Sequence, residues 1–589
     1  GQGPVPNTEA WKEWMRGAAT HLKGRALFWE IWNEPNIDFF KGNTDEYLEL
    51  LRGSSEAIRS VDPDARVKTG GFASLDHAAS KPGMIERVLR EAPGSFDDVS
   101  YHRHGTFDVF YDEMELRLLP LLTATGTSKK PLYFSETGMD TRFGEGHQAE
   151  TLIKKMVYAW SLGAAAYTWY NFNDKVGGDR AREAGRTYGL FTIDGFPKES
   201  LVALNTLIGQ LQRAKFVKRL PLPGRQFGFL FSSEEAWILV AWNEQPERLS
   251  CLPLVASAGD SVIRIDRFGR RSEQPAMDGR LILPLGPQPT FFRFAGKPEL
   301  MGSLVASPPV LEVAPGLKRP VSIPLSNPTT AELPLSLPLS GANGLSVDPV
   351  DWQKVALAAE ASAEVSWQIE VEADSSLSFG TLIPAELGVG LVGGEPSIVP
   401  VAPRVGALLV PDAPGQAKFQ LAAIGDVTNF FEDDPSKIDT LWQGGEDLAA
   451  EISLQWKGGL NGMVRVTDDA FEPSAGSELA QGDSVTLELL IDEKPAATWT
   501  LSSGPSGVRS SPAAAGGVKF SVRHDTPVTS YLFFSPSSFL PALEEAASRG
   551  TLRLRVEVAD RDAGVLSGAL RTDGTGGHRN HPMLLLNRP

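Results

Sequence analysis

The sequence predicts a multidomain protein in which part of a (β/α)8 TIM barrel, lacking its N-terminal strands, is followed by all-β sandwich domains. Its 589 residues exceed what one hydrophobic core accommodates. Apolar strand-like segments alternate with helical segments in the first third of the chain, whereas short alternating strands replace this pattern from Phe216 onward. We therefore expect an α/β region first and β domains after it.

The α/β region begins with a helix predicted over residues 8–23, where apolar residues recur at helical spacing and Asn7 or Thr8 can cap the N-terminus. A strand at residues 26–32 follows, and four further strand–helix units continue the pattern. The five predicted strands end at Glu34, Gly70, His102, Glu136 and Trp169. Spacings of 36, 32, 34 and 33 residues are typical of parallel βα units.

A complete barrel of this type needs eight such units. Only 25 residues precede Ala26, and they have the pattern of a single helix. We therefore expect residues 1–213 to form five-eighths of a barrel, either truncated at the N-terminus or completed by a segment from elsewhere.

Composition limits the classes of partner. The formal net charge of −17 and the isoelectric point near 5.1 argue against nucleic acid and anionic membranes as partners. The only cysteine, Cys251, excludes an internal disulfide and is expected to be a buried apolar residue. No apolar run is long enough to cross a membrane, so no membrane insertion is expected.

Two short motifs carry the chemistry. The first, WNEP at residues 32–35, ends an apolar strand because Pro35 cannot donate a hydrogen bond to a neighbouring strand. The second, SETG at residues 135–138, follows the strand three units later. Barrel strands present catalytic groups at their carboxyl ends. Two carboxylates in one pocket lined with indoles are typical of glycoside hydrolysis.

These motifs resemble those of the clan A retaining glycoside hydrolases, and residues 28–36 look most like family 39. The resemblance covers roughly residues 1–295. It implies that the five strands are strands four to eight of the barrel. It also implies that Glu34 is the general acid/base, that Glu136 is the nucleophile, and that Asn33 contacts the 2-hydroxyl of the sugar.

The same resemblance implies further substrate-binding residues. His102 ends strand six, where the clan often carries a histidine that lines the sugar pocket. The clan's tyrosine two positions on is replaced here by His104. Tyr101 or Tyr111 could substitute for it, and Tyr101 is assigned to the site. Trp169, at the end of strand eight, is expected to stack on a pyranose ring.

Each of these residues also has a structural alternative. Glu34 could cap a helix or form a salt bridge, one of the two histidines could be merely structural, and Trp169 could be a core indole. His102 and His104 are not expected to hold a metal, on the assumption that they face opposite sides of their strand. Neither a metal nor a diffusible cofactor is expected.

The β region is predicted to hold three domains. Residues 214–298 resemble the small sandwich that follows the barrel in family 39, and residues 299–407 are interpreted as an immunoglobulin-like spacer. Residues 408–589 resemble carbohydrate-binding module family 9. There, Trp442 and Trp456 are either sugar-stacking or core residues, and Asp468 with Asp469 either resembles a calcium-ligand pair or caps turns.

The predicted function is retaining O-glycoside hydrolysis by double displacement on a β-linked glycoside or polysaccharide, with a carbohydrate as the partner. An alternative is a non-catalytic carbohydrate-binding protein with a degenerate barrel, and a third is a transglycosylase that uses the same residues. A secreted or periplasmic location is expected, with any export signal upstream of Gly1. The sugar, the exo or endo mode and the oligomeric state stay open.

Overall fold

The computed structural model describes most of the chain. The described residues are 5–75, 77, 80–174, 187–256, 259, 261–305, 307–341, 344–348, 353–372, 379–392, 397–411, 416–422, 426–427, 445–468, 471–473, 482–504, 507–513, 516–539, 542–562, 565–573 and 581–587. Trp442 and Asp469, two of the residues that the sequence singled out, lie outside them.

The N-terminal region alternates strands and helices. Its helices are α1 (Thr8–Leu22), α2 (Thr44–Arg59), α3 (Met84–Glu91), α4 (Phe107–Glu113), α5 (Leu119–Ala124), α6 (Glu145–Ser161) and α7 (Glu199–Leu211). Its strands are β1 (Phe28–Glu30), β2 (Arg66–Lys68), β3 (Val99–His102), β4 (Leu132–Thr137) and β5 (Ala166–Trp169). A π-helical turn (Met114–Leu118) joins α4 to α5. Each of the five strands predicted from the sequence is present.

All five strands run parallel and follow one another in chain order. β1 pairs with β2, and β3, β4 and β5 form a second sheet. Parallel bridges from Lys68 to Asp98 and from Phe72 to Tyr101 join β2 to β3. The carboxyl ends of all five strands therefore lie along one edge, which is where a parallel α/β sheet places its ligands.

The helices pack on one face of these strands. Asn43 and Glu46 form a capping box that fixes the start of α2, and Asn7 caps α1 as one of the two predicted candidates. The ring of Tyr47 is fully buried between α2 and the strands. Its hydroxyl donates to the carbonyl of Ile31 at 2.9 Å and accepts from the amide of Gly70 at 2.7 Å. One side chain thus joins the ends of β1 and β2.

Antiparallel strands replace the α/β pattern after α7. Those up to residue 303 are β6 (Lys215–Arg219), β7 (Gln226–Ser232), β8 (Trp237–Asn243), β9 (Pro253–Ala256), β10 (Ser261–Ile265), β11 (Arg271–Pro275), β12 (Arg280–Ile282), β13 (Thr290–Phe294) and β14 (Glu299–Ser303). They form a six-stranded and a three-stranded sheet. β14 begins one residue past the predicted boundary at 298 and pairs with β9.

The middle β region packs around a core that includes Trp367 and is shared with Leu254 and Ile282 of the preceding region. Its strands are β15 (Glu312–Val313), β16 (Arg319–Ser326), β17 (Leu333–Leu337), β18 (Leu339–Gly341), β19 (Leu345–Asp348), β20 (Gln353–Leu357), β21 (Ser362–Val371), β22 (Ala385–Leu391), β23 (Ser397–Val401) and β24 (Arg404–Val405). Sheets of three and five main strands pack across this core.

The C-terminal region consists of a seven-stranded and a five-stranded sheet, with helix α8 (Ala542–Arg549). Its strands are β25 (Ala407–Pro411), β26 (Ala417–Leu421), β27 (Leu448–Trp456), β28 (Gly459–Asp468), β29 (Ser484–Ile491), β30 (Lys494–Gly504), β31 (Gly507–Ser511), β32 (Lys519–Asp525), β33 (Val528–Pro536), β34 (Leu552–Asp562), β35 (Val565–Arg571) and β36 (Met583–Asn587). Trp456 is buried in the core of this region, as its structural alternative predicted.

Within the described residues, no helix combines the length and the apolar character that a membrane crossing requires.

Candidate active site

The first carboxylate of the site follows β1 on an unusual stretch of backbone. Trp32 and Glu34 have φ angles of 79° and 45°, which non-glycine residues rarely adopt. Such backbone costs about 1–3 kcal/mol and persists only where the surroundings hold it in place. Here the amide of Glu34 donates to the carbonyl of Gly71 at 2.9 Å. The sharp turn aims the Glu34 side chain across the ends of the neighbouring strands.

Lys81 holds the loop that follows Glu34. Its ammonium group donates to the carbonyls of Pro35, Ile37 and Phe40 at 2.9, 2.6 and 2.7 Å. Burial lowers the pKa of Lys81 below its ordinary value. Three carbonyl oxygens on one ammonium group therefore lock the loop into a single shape.

The imidazole of His102 contacts Glu34 directly. The distance from Nδ1 of His102 to Oε1 of Glu34 is 2.9 Å, and their side chains are 2% and 13% exposed. Gly71 makes room for this ring, because a Cβ atom at that position would lie 2.1 Å from Nε2 of His102. Glycine at position 71 is thus required by the close approach of the imidazole.

The second carboxylate, Glu136, lies at the end of β4 and pairs in register with His102 of β3. Its Oε1 atom is 3.3 Å from Nε2 of His104. The His104 ring meets the rings of Tyr170 and Tyr188 edge-on, at centroid distances of 5.5 and 5.6 Å. His104 therefore contacts the proposed nucleophile from the position where the clan carries a tyrosine.

A buried lysine fixes the two chain segments that carry these groups. Lys155 of α6 donates to the carbonyls of Arg103 and Gly138 at 3.1 and 3.0 Å. These carbonyls lie next to His102 and His104 on one segment and two residues beyond Glu136 on the other. α6 thereby sets the spacing between the ends of β3 and β4.

Tyr101 is not part of this site, which corrects its assignment. Successive side chains on a strand face opposite sides, so Tyr101 faces the helices while His102 faces the pocket. The Tyr101 ring is fully buried, and its hydroxyl donates to Glu113 of α4 and accepts from the amide of Leu75. Burial raises its pKa well above the ordinary value. Tyr111, the other candidate, accepts from Arg219 instead.

The same alternation shows that the assumption about the two histidines was wrong. Residues two apart on a strand face the same side. His102 ends β3 and His104 lies two residues past it, and the contacts show that both point to the site, each to one of the two glutamates.

The remaining predicted residues lie at the same edge. Asn33 is exposed, and its backbone forms a parallel bridge with Gly71. Trp169 ends β5, is partly buried, and donates from its indole nitrogen to the carbonyl of Tyr188 at 3.2 Å. Sequence reasoning missed Tyr170, Tyr188 and Ser135 as members of the site. Tyr170 and Ser135 are adjacent to Trp169 and Glu136, which was the only local signal available.

A second acidic group lies in the C-terminal region. Asp468, Asp483 and Asp560 are buried, with carboxylate oxygens within 4.8 Å of one another. Burial, together with the neighbouring Asp468, raises the pKa of Asp483 to about 7. The close approach of three buried carboxylates therefore disfavours the ionisation of all three.

Comparison with known proteins agrees with the N-terminal geometry. Residues 6–113 match the model for Glycosyl hydrolases family 39. That range contains Glu34, His102 and His104. The N-terminal region is similar to family 39 of the clan A glycoside hydrolases. The resemblance to family 39 is thereby confirmed over residues 6–113, which include WNEP, whereas the resemblance of residues 408–589 to carbohydrate-binding module family 9 stays a prediction.

Two curated relatives support the same family. The chain is 25% identical to a β-xylosidase of Caldicellulosiruptor saccharolyticus over 249 residues, which is 37% of this chain and 50% of that protein. It is 28% identical to a β-xylosidase of Geobacillus stearothermophilus over 129 residues, which is 19% of this chain and 25% of that protein. The chain thus spans half or less of the length of these two β-xylosidases.

A solved family 39 glycoside hydrolase from Bacteroides cellulosilyticus WH2 aligns with 49% of this chain and 63% of its own, at 21% identity and a TM-score of 0.39. That overlap is too low to support an argument from the alignment itself.

Proposed function

We propose that this chain is a retaining O-glycoside hydrolase of clan A, and that its five parallel strands correspond to strands four to eight of a (β/α)8 barrel. The observation that carries the proposal is the arrangement at the end of β3. His102 contacts Glu34 and pairs in register with Glu136, while His104 contacts Glu136. Two carboxylates are therefore held on either side of one strand end.

The proposed reaction is a double displacement. Glu34 gives a proton to the glycosidic oxygen while the carboxylate of Glu136 attacks the anomeric carbon, so the glycosidic bond breaks as a glycosyl ester forms. Glu34 then takes a proton from water, whose oxygen attacks the anomeric carbon and releases Glu136. The imidazole of His104, beside Glu136, stabilises the carboxylate form that a nucleophile requires.

The substrate class follows from the relatives. Both curated relatives are named β-xylosidases, so β-xylosides are the first candidates among β-linked glycosides.

A sugar-binding role for residues 408–589 and a secreted or periplasmic location complete the proposal. Its domain bounds are those predicted from the sequence.

The test is covalent trapping. The full chain is incubated with activated 2-deoxy-2-fluoro-β-xylosides and with the corresponding glucosides and galactosides, and intact mass and peptide mapping follow. We expect a stable glycosyl adduct on Glu136. The Glu136→Gln variant should form none, whereas Glu364→Gln, an exposed glutamate on β21, should react like the wild type.

Two outcomes would contradict the proposal. An adduct on a different carboxylate would remove Glu136 as the nucleophile. A chain that binds xylan oligosaccharides, forms no adduct and hydrolyses no glycoside would favour the non-catalytic binding protein. Analysis of the products separates hydrolysis from transglycosylation.

A further inference from the structure

A continuous chain of hydrogen bonds leads away from Glu34 below the floor of the site. Nδ1 of His102 contacts Glu34 at 2.9 Å, and its Nε2 contacts the hydroxyl of Ser135 at 2.9 Å. Ser135 contacts the hydroxyl of Ser100 at 2.7 Å, and Ser100 donates to Oε2 of Glu30. This series of hydrogen bonds crosses β3, β4 and β1. It joins the carboxylates of Glu34 and Glu30 through one imidazole and two hydroxyls.

The direction of these bonds is set at the Glu30 end. An ionised carboxylate can only accept hydrogen bonds, and a hydroxyl donates one hydrogen. Since Ser100 donates to Glu30, it must accept from Ser135. Ser135 has then used its only hydrogen, so it must accept from Nε2 of His102. Nε2 therefore carries a hydrogen, and Nδ1 is left to face Glu34.

We propose that Ser135, Ser100 and Glu30 are positioning residues that keep a hydrogen on Nε2 of His102, so that Nδ1 of His102 and Oε1 of Glu34 share one further proton. This proposal rests on the proposed role of Glu34 as the general acid/base. Loss of the shared proton would leave a nitrogen lone pair facing a carboxylate. The series of hydrogen bonds therefore preserves the protonated His102–Glu34 pair that the first step of the reaction needs.

Reversing the direction of these hydrogen bonds is costly in the wild-type protein. The two hydroxyls would have to turn so that Ser135 donates to Nε2, and an oxygen lone pair of Ser100 would then face the carboxylate of Glu30. Because the Ser100 side chain is fully buried while Glu30 is exposed, Glu30 would have to leave this hydroxyl and take its donors from solvent. With Gln at position 30, the amide either donates or accepts, and this bias disappears.

Other charged groups surround the pair and stay constant in the experiment. Glu136 pairs in register with His102, and His104 lies beside Glu136. Lys68 of β2 interacts electrostatically with Glu30, and its ammonium group lies 3.5 Å from the centre of the Tyr133 ring. None of these groups is altered in the variants below.

The first test is the pH dependence of kcat/KM for β-xyloside hydrolysis by Glu30→Gln, Ser100→Ala and Ser135→Ala. In each variant, the fall of kcat/KM at high pH should occur about one pH unit lower than in the wild type. The reason is that the protonated His102–Glu34 pair is no longer favoured. A purely structural role would lower the rate equally at every pH. Ser161→Ala, a serine at the end of α6, and Glu91→Gln on α3 are the matched controls and should leave the high-pH fall of kcat/KM in place.

The second test does not depend on turnover. Nitrogen-15 NMR of the histidine-labelled full chain, with His102→Asn used to assign the signal, should show a protonated Nε2 in the wild type. The Glu30→Gln variant should show a larger population with the hydrogen on Nδ1. A wild-type His102 with an unprotonated Nε2 would overturn the inference.

The two proposals fail in different ways. A wild type that hydrolyses no glycoside removes the proposed function, and this inference with it. If the wild type is active but the high-pH fall of kcat/KM is unchanged in Glu30→Gln, Ser100→Ala and Ser135→Ala, only this inference is wrong.

Discussion

At the scale of single residues, the site depends on which partner each glutamate has. Glu34 is contacted by His102 and Glu136 by His104. His102 ends β3 and His104 lies two residues past it, and each contacts a different carboxylate. A substitution at one histidine should therefore affect one catalytic step more than the other.

Replacement of Glu34 by Gln tests the acid/base role. General acid catalysis contributes about 10²- to 10⁴-fold, so kcat for aryl xylosides with poor leaving groups should fall by that factor. Dinitrophenyl xylosides need little protonation of the leaving oxygen, and their first step should slow much less. Steady-state and burst kinetics on both substrates measure this. Equal losses on the two substrates would contradict the assignment.

His104 offers a second test at this scale. His104→Phe removes the contact to Glu136 while keeping a ring between Tyr170 and Tyr188, and it should lower kcat/KM about 10-fold or more. His104→Tyr supplies a hydroxyl donor, as the clan's tyrosine does, and should retain more activity than the phenylalanine variant. The ranking of the two variants in kcat/KM is the measurement. A phenylalanine variant as active as the tyrosine variant would show that the contact contributes nothing.

At the scale of elements, side chains from the helical layer hold the strand ends in place. Tyr47 joins β1 to β2, and Lys155 joins the segments after β3 and β4. Lys81, three residues before α3, does the same for the loop after Glu34. The carboxylates therefore depend on buried groups that lie outside the pocket.

Lys81→Met tests this dependence. The methionine fills similar volume but leaves three carbonyls without their donor, so the free energy of unfolding should fall by about 1–3 kcal/mol. The kcat should also fall, because Glu34 loses its fixed position, whereas KM should change less. Denaturant unfolding and steady-state kinetics measure the two effects. Lys41→Met, an exposed lysine of the same region, is the control and should match the wild type.

At the scale of the whole molecule, buried ion pairs connect the successive regions of the chain. Lys154 pairs with Glu244 at 2.9 Å, Arg404 with Glu247 at 3.3 Å, and Arg553 with Glu312 at 3.1 Å. Each pair joins residues far apart in sequence and is largely removed from water. The β regions are thus attached through specific charges in addition to apolar contact.

The Arg553–Glu312 pair makes this testable. Both side chains are 8% exposed, so Arg553→Met should remove the arginine partner of the buried Glu312 carboxylate and cost about 3–5 kcal/mol. The double variant Arg553→Met/Glu312→Leu should recover much of that loss. Calorimetry of the full chain compares them, with exposed Arg549→Met as the control. A double variant no more stable than the single one would contradict this account.

The acidic group of the C-terminal region predicts a pH dependence of stability. Burial and Asp468 raise the pKa of Asp483 to about 7, well above the ordinary value near 4 in an unfolded chain. The stabilisation by the bound proton is therefore complete below about pH 4 and disappears as pH rises through about 7.

Asp483→Asn should remove this dependence and make the region more stable than the wild type at pH 8, by about 1–3 kcal/mol. Melting temperatures from pH 5 to 8 measure the effect. Asp525→Asn, at an exposed aspartate of β32, should keep the wild-type slope. Equal slopes for wild type and Asp483→Asn would show that this carboxyl is not the group responsible.

The sequence by itself determined the parts of the answer that are local. Regular spacing of apolar segments predicted the five parallel strands, because a βα unit has a nearly fixed length. WNEP and SETG predicted where Glu34 and Glu136 lie, because a strand that ends at Pro35 or at a polar turn presents its last side chains at the sheet edge. The resemblance to family 39 was predicted from the same residues.

The tertiary structure decided everything that depends on the face of a strand or on partners distant in sequence. Tyr101, His102 and His104 are near neighbours in the chain, yet only the two histidines reach the site. The contact between Ser100 and Glu30 joins residues 70 positions apart, and no local sequence pattern predicts it. The packing of the elements in three dimensions determines which side chains come into contact. The sequence pattern by itself indicates only the periodicity of each helix or strand.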